Sequence, residues 1–511
     1  MNPLLLSLQS RGKIVVEWVG IPGAKMAIVG EALGEQEERL KGVFCGMAGY
    51  FLDDVLRCAG IPRQELFLTN VIPIRPRDNK IANLSELGLS PESFYPSLKE
   101  RLEKFRPNVV LALGDVALAA LTGKHGITKW RGSILESTLV PGLKVVCSFH
   151  PSGVMRLGAK VTAKKEIMGK GGIKYDYGSA RTSLVVDCKR AWDQRTFPEL
   201  PKVDRQLVVG ASYDVIRSSI RNLYESDFLT FDIESVGSDV VRIGLANSPY
   251  YAISIPIGSS FWSPSEETEI ISDLAHLFTT HQGLIAQNAN FDMTMLLQHF
   301  PVGMCHFDTM LAHALLYPEL PHGLDYLSSI YTLEPYYKWM SGADLSTYNC
   351  LDAAVTFEVA LRLKEELKEF GLEDFFYGYT LPLFHMVFRM EHRGLLVDQQ
   401  KLGVMREKFL LKLKEDEGMF RELSKWDGNI GSPVQLKKLL YEKMGLPTQY
   451  SKEGKVTTDE KALMKLWKKY RLPELRSIID IRGGKKMLST YIGEAHDEEE
   501  ENEAEIIDFN N

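Results

Sequence analysis

FLTFDIES, residues 228–235, reads as a strand, because aromatic and β-branched residues alternate with polar ones. Side chains two apart on a strand leave on one face, so Asp232 and Glu234 present two carboxylates side by side. Two acids so placed attract cations. LIAQNANFDMTML, residues 284–296, adds Asn288 and Asp292, and YNCLDAAVTFEV, residues 348–359, adds Tyr348 and Asp352 at i and i+4 on one helical face. Four carboxylates of this kind can hold two Mg2+ or Mn2+ ions about 4 Å apart. One ion would activate a water that Tyr348 orients, and the other would stabilise the leaving oxygen of a phosphodiester.

A lone D-x-E on a strand is commonly a solvated edge, but here three motifs come in order: D-x-E, N-x-x-x-D, Y-x-x-x-D. This order closely resembles the proofreading 3′-to-5′ exonuclease domain of family A DNA polymerases, of the type with a tyrosine in its third motif. HFDTMLAHALL, with Asp308, and GLDYLSSIYT resemble that family's connecting segments. The resemblance covers about 205–375. It implies a ribonuclease-H-like fold with Asp232, Glu234, Asp292 and Asp352 as metal ligands.

Working outward, a chain of 511 residues predicts several domains. From Lys25 to about Leu200, short apolar runs (MAIVG, LFLTNVI, NVVLALG, LKVVCSF) alternate with amphipathic helical stretches, which predicts an α/β parallel sheet covered by helices. FPELPKVDRQ, 197–206, reads as a linker. The expected division is 1–200, 203–375, a helical region 376–494 and an acidic tail 495–511. In the first domain, GEALG ends a strand at Gly30–Gly34, a second strand ends at Asn70, and another ends at His150 in HPS. Polar residues at strand C-termini form a pocket at a sheet edge.

These motifs resemble the uracil-DNA glycosylase superfamily, nearest to family 4. The resemblance implies that Phe44 stacks on a flipped uracil, Asn70 reads its pairing edge, and His150 hydrogen-bonds the oxygen that gains charge as the glycosidic bond breaks. Glu31 would assist the cationic sugar or position water, and Val154 and Met155 would wedge into the base stack. Two departures stand out: Leu33 replaces the family's proline, and the cysteines of its four-iron cluster are missing, with Ile74 where one ligand would fall. No iron–sulfur cluster is expected. All six cysteines lie outside any CxxC pair, so they read as buried thiols.

Segments around 387–402, 429–447, 454–463 and 479–491 occur in the order of the helical region, thumb included, of family A polymerases. There Ser432 and Pro433 read as the N-cap and first residue of a helix. Arg482, Lys485 and Lys486, around Gly483 and Gly484, suit DNA phosphates. The polymerase's palm and fingers motifs are not found. His496-Asp497-Glu498 matches a polymerase tripeptide but sits in an acid run without a flanking apolar strand, and reads as coincidence.

The formal net charge is −7, yet eight of the 67 acids fall in 496–511, so the remainder is nearly balanced and does not repel DNA. The Lys- and Gly-rich stretch 155–181 reads either as a phosphate-contacting flap or as a solvated loop. No signal peptide or membrane span is read, which makes the cytoplasm of a bacterial or phage-infected cell the expected compartment. The expectation is a DNA replication and repair protein joining exonuclease to uracil recognition or excision and acting on single-stranded 3′ ends and uracil-containing DNA. A separate palm-and-fingers polypeptide is its expected partner. Two alternatives stay open: a non-cleaving uracil sensor in place of the glycosylase, or a DNA-holding scaffold.

Overall fold

The computed structural model describes residues 2–158, 167–168, 174–451 and 455–492. The centre of the Lys- and Gly-rich stretch, the tripeptide at 496–498 and the acidic tail lie outside the described residues. The chain forms two compact units, the first ending at His392 and the second beginning at Arg393.

The first unit contains two six-stranded sheets. In the first sheet β1 (Trp18–Gly20), β2 (Met26–Ala32), β3 (Phe67–Ile72), β4 (Val109–Leu113), β5 (Ile134–Glu136) and β6 (Lys144–Ser148) lie in the order β1-β3-β2-β4-β6-β5. The four inner strands are parallel. They are apolar runs buried on both faces, as helix-covered parallel strands must be. The edge strands β1 and β5 are antiparallel, so the sheet is mixed rather than purely parallel. Only seven residues join β5 to β6, too few for the crossover a parallel pair requires. A small antiparallel pair, β7 (Ile167–Met168) with β8 (Lys174–Tyr175), follows.

The second sheet comprises β9 (Gln206–Val208), β10 (Leu229–Val236), β11 (Asp239–Ser248), β12 (Tyr251–Pro256), β13 (Leu284–Ala286) and β14 (Phe307–Asp308), in the order β14-β13-β10-β11-β12-β9. β10, β11 and β12 form an antiparallel meander, flanked by parallel strands on both sides. The 25-residue helix Leu345–Glu369 packs across the meander. Gly244 permits this approach, because a Cβ there would fall 2.6 Å from the Asn349 carbonyl oxygen. The sheets share one apolar core: Val146 and Leu184 from the first half join Tyr326, Val355 and Val359 from the second. The stretch 197–206 therefore connects two bodies that are packed together. Phe388, from helix Leu381–Arg393, also enters the core of the second sheet.

The second unit is helical. Helices Gln399–Ser424, Glu460–Tyr470 and Pro473–Met487 bury Phe420, Leu463, Leu466, Leu475, Ile478 and Ile481 with Leu436 and Leu440. Ser432 caps helix Pro433–Lys437 by accepting from the Gln435 N–H, as its sequence predicts. Gly483 and Gly484 lie within a helix, and a Cβ on Gly484 would touch Leu413 at 3.4 Å. Among the described residues no helix is long and apolar enough to cross a membrane.

Candidate functional site

Two clusters of polar side chains contain residues that the sequence singles out, and both lie in the first unit. The first sits at the C-terminal ends of the parallel strands. Gly30 on β2 is in register with Asn70 on β3. A Cβ on Gly30 would fall 2.4 Å from Asn70 Oδ1 and 2.5 Å from the Phe44 ring, so the missing side chain is what admits both groups. Asn70 is buried, and its carbonyl accepts from the buried Arg101 at 3.0 Å. Phe44 has a left-handed backbone, φ +50°, which a non-glycine residue adopts only when its surroundings impose it. Arg63 supplies that constraint by donating to the carbonyls of Val43 and Phe44 at 3.1 and 2.9 Å.

His150 faces Phe44, with ring centroids 6.3 Å apart. Its Nδ1 accepts the Ser152 backbone N–H at 3.2 Å and lies 2.8 Å from the Ser152 hydroxyl. A nitrogen that accepts a backbone N–H carries no proton, so the neutral ring keeps its proton on Nε2. Burial, helped by the Arg156 charge, lowers its pKa to about 4. Glu31 is beside it: a Cβ on Gly114 would meet both the Glu31 carboxylate, at 2.4 Å, and His150. Burial raises the Glu31 pKa against the pull of backbone N–H groups at Val116 and Asp115, the first residues of helix Asp115–Thr122.

The fold thus places Glu31, Phe44, Asn70 and His150 beside one another. The wedge expectation for Val154 needs correction: it is fully buried in the core, because helix Pro151–Gly158 turns that residue inward. Met155 remains partly exposed. The cysteines do not fit a four-iron cluster. Cys58 ends helix Met47–Cys58 and Cys45 precedes its other end. Cys147 and Cys188 are buried thiols whose pKa values burial raises, and Ile74 is buried.

The second cluster lies on the second sheet. Carboxylate oxygens of Asp232, Glu234 and Asp352 all fall within 4.8 Å of one another. Asp292 joins through the backbone, with its Oδ1 accepting the Ile233 N–H at 3.0 Å. Burial raises all four carboxyls, and charges of other acids in the cluster add to it at Asp232, Glu234 and Asp292. Asp232 is driven well up, Glu234 reaches about 7, Asp292 about 8 and Asp352 about 6. Oxygen donors crowded in this way suit hard divalent cations such as Mg2+ or Mn2+.

Tyr348 hydrogen-bonds Asp352. Three partners went unread in the sequence. Tyr337 donates to Asp352 at 2.7 Å, and Asn349 donates to Asp232 Oδ2 at 2.9 Å while accepting from Ser254 at 2.8 Å. Lys338 lowers the carboxyl pKa values of both Glu234 and Asp352 by its charge. Asn349 adjoins Tyr348 within its motif and could have been found there, whereas Tyr337 has no periodic tie to the others. Asp308 is structural: it accepts from the N–H groups of Asn288, Ala289, Met310 and Leu311, which pins the turn that presents Asp292.

In the second unit, Arg482 donates to the Thr458 carbonyl at 2.7 Å and Lys485 pairs with Glu417 at 2.7 Å, so both serve the bundle. Lys486 is exposed and lines a groove with Lys412, Asp416 and Arg476.

Comparison with known proteins identifies both kinds of region. Residues 18–169 match the family model "Uracil DNA glycosylase superfamily", and through them the chain belongs to that superfamily. More particularly, a type-4 uracil-DNA glycosylase of Thermotoga maritima is 33% identical over 144 residues, 28% of this chain and 72% of that protein. Residues 399–507 match the model "DNA polymerase family A". DNA polymerase I of Borreliella burgdorferi is 25% identical over 290 residues, 53% of this chain and 32% of the polymerase. The chain therefore spans about a third of that polymerase's length. A solved structure described as the POL domain of Pol1 from M. smegmatis with DNA primer-template and dNTP aligns at 20% identity and TM-score 0.40, over 55% of this chain and 48% of that one. A glycosylase-superfamily domain is thus joined to a polymerase-related region, a combination that implies work in DNA repair or replication.

Proposed function

We propose that the chain is a two-site DNA-processing enzyme that excises uracil in its first domain and trims 3′ ends in its second. The observation that carries the first half is the neutral His150, whose Nδ1 accepts a backbone N–H and whose ring lies beside Phe44. Phe44 stacks on the extruded base and Asn70 pairs with its edge. As the bond from C1′ to N1 breaks, the electron pair moves onto uracil, and His150 Nε2–H donates to the carbonyl oxygen where the charge collects. A neutral donor suits this task, because it stabilises the anion without having to transfer its proton. Glu31 faces the cationic sugar or positions the water that adds to C1′.

The second half rests on the convergence of Asp232, Glu234 and Asp352, with Asp292 tied in through Ile233. Mg2+ or Mn2+ held by these four acids would supply an activated water and stabilisation of the leaving oxygen. Asn349 and Tyr337 hold Asp232 and Asp352 in place, and Tyr348 orients the attacking water. The second sheet and its helices then form a ribonuclease-H-like exonuclease domain. In the second unit, Lys486 and its groove take DNA backbone. The exposed Leu395, Leu396, Met405 and Leu411 offer an apolar surface suited to a palm-and-fingers partner.

Two assays on the purified chain test the pair. Uracil-containing DNA should release free uracil in EDTA, and single-stranded DNA should shorten from its 3′ end only with Mg2+ or Mn2+. Tight binding of uracil-DNA without release would favour the sensor reading of the first domain. Absence of both activities would leave the scaffold reading.

A further inference from the structure

The pocket that holds Asp232, Tyr348 and Asp352 is a cavity of about 110 Å³, and the second sheet does not build it alone. Lys129, Arg131 and Ser133, from the segment before β5 in the glycosylase-superfamily domain, also line it. Two of these side chains are committed elsewhere. Arg131 is buried and pairs with the equally buried Asp187 at 3.2 Å. The Ser133 hydroxyl accepts the Tyr336 N–H at 3.0 Å. Lys129 is partly exposed, and among the described residues its ammonium makes no ion pair or hydrogen bond.

The segment that bears Lys129 is clamped to the second sheet's domain. Trp130 meets Tyr336 edge-on, with centroids 5.4 Å apart. Arg190 bridges the domains, donating to the Gly132 carbonyl at 2.6 Å and the Ile330 carbonyl at 2.7 Å. Gly132 has φ +80°, and a Cβ there would fall 2.6 Å from the Ser329 carbonyl oxygen, so only glycine lets the two backbones come this close. The backbone that carries Lys129 at the pocket wall is thus fixed.

We propose that Lys129, a residue of the glycosylase-superfamily domain, is a DNA-binding residue of the neighbouring carboxylate site. There it takes a backbone phosphate of the 3′-terminal nucleotides. The assignment rests on the nuclease reading above. The physical need is plain: a polyanion must enter a pocket crowded with acids, and a fixed cation at its wall attracts the phosphate next to the one being cut. It follows that the carboxylate site is incomplete without the first domain.

The test uses the full chain and a 5′-fluorescein-labelled dT12. With saturating Mg2+, Lys129→Ala should raise KM for 3′-end trimming about tenfold with kcat little changed, as loss of one charged hydrogen bond predicts. Binding of the same oligonucleotide in Ca2+, followed by anisotropy across a salt series, should lose about 0.7 from its log–log slope, the share of one phosphate contact on a single strand. Lys129→Arg should restore both values, and uracil release should be unchanged in both variants. If Lys129 only offsets the acids, Lys129→Ala will change Mn2+ affinity and leave the salt slope as in wild type, which overturns the proposal. Wild-type trimming with an unaltered KM in Lys129→Ala overturns it as well, while the nuclease reading stands. A wild type that trims no DNA removes the nuclease reading and this assignment together.

Discussion

The base pocket and the carboxylate cluster belong to one compact unit, yet they are prepared for opposite electrostatic tasks. In the first, burial removes charge from His150 and leaves a neutral hydrogen-bond donor. In the second, burial and crowding raise four carboxyls, so the acids approach full ionisation only when cations join them. The same physical cause, desolvation, thus yields a preorganised site in one sheet and an ion-demanding site in the other. The contrast teaches that the two proposed activities should separate cleanly by metal, by mutation and by pH.

The largest expected effect is Asp232→Ala. It should reduce 3′-end trimming to background while uracil release continues at the wild-type rate, as a paired gel and uracil-release assay would show. A parallel fall in both activities would break the contrast. His150→Ala should do the reverse and slow single-turnover uracil release by about 10²–10³-fold, the usual cost of one donor to a developing anion, with trimming intact. Arg131→Ala comes next, because it strands Asp187 in the core between the two domains. Removing one partner of a buried pair costs about 3–5 kcal/mol, readable as a lower denaturation midpoint. One shared transition rather than two would confirm that the sheets unfold together.

The smallest effects are those of pH, and they run in opposite directions. His150 titrates at about 4 when folded, against 6.5 for an ordinary histidine, so its contribution to stability is complete above 6.5 and is lost as pH falls towards 4. The rate of uracil release should accordingly show no His150 titration between pH 6 and 8, and an inflection near 6.5 would contradict the neutral-donor assignment. The carboxyls behave inversely. Glu234 and Asp292 hold protons up to about 7 and 8, against 4.5 and 3.8 when exposed, so the metal-free protein should lose stability as pH rises from about 4 to 8. Saturating Mn2+ should recover much of that loss at pH 8, and Asp292→Asn should flatten the metal-free profile, both read by thermal denaturation.

Both sites were largely legible before the fold was known, because their chemistry is written in short spacings. The D-x-E pair needs only the two-residue period of a strand, and Tyr348 with Asp352 only the turn of a helix. Gly30, Asn70 and His150 are visible as strand ends. Val154 was misread because a short segment after a strand does not reveal which face of its helix turns inward. Arg482 and Lys485 look like free cations in a row of basic residues, and only the bundle shows them bound to Thr458 and Glu417.

The sequence by itself therefore determined the α/β alternation, the chemical type of each cluster and most of the side chains that meet there, since these depend on local periodicity and side-chain chemistry. The tertiary structure alone decided the antiparallel edges of the first sheet, the protonation of His150, and the placing of Tyr337 and Asn349 on the acids. It also brought Lys129 into a pocket whose carboxylates lie more than a hundred residues away. Contacts at that separation arise from how sheets and helices pack, and no local pattern of residues encodes them.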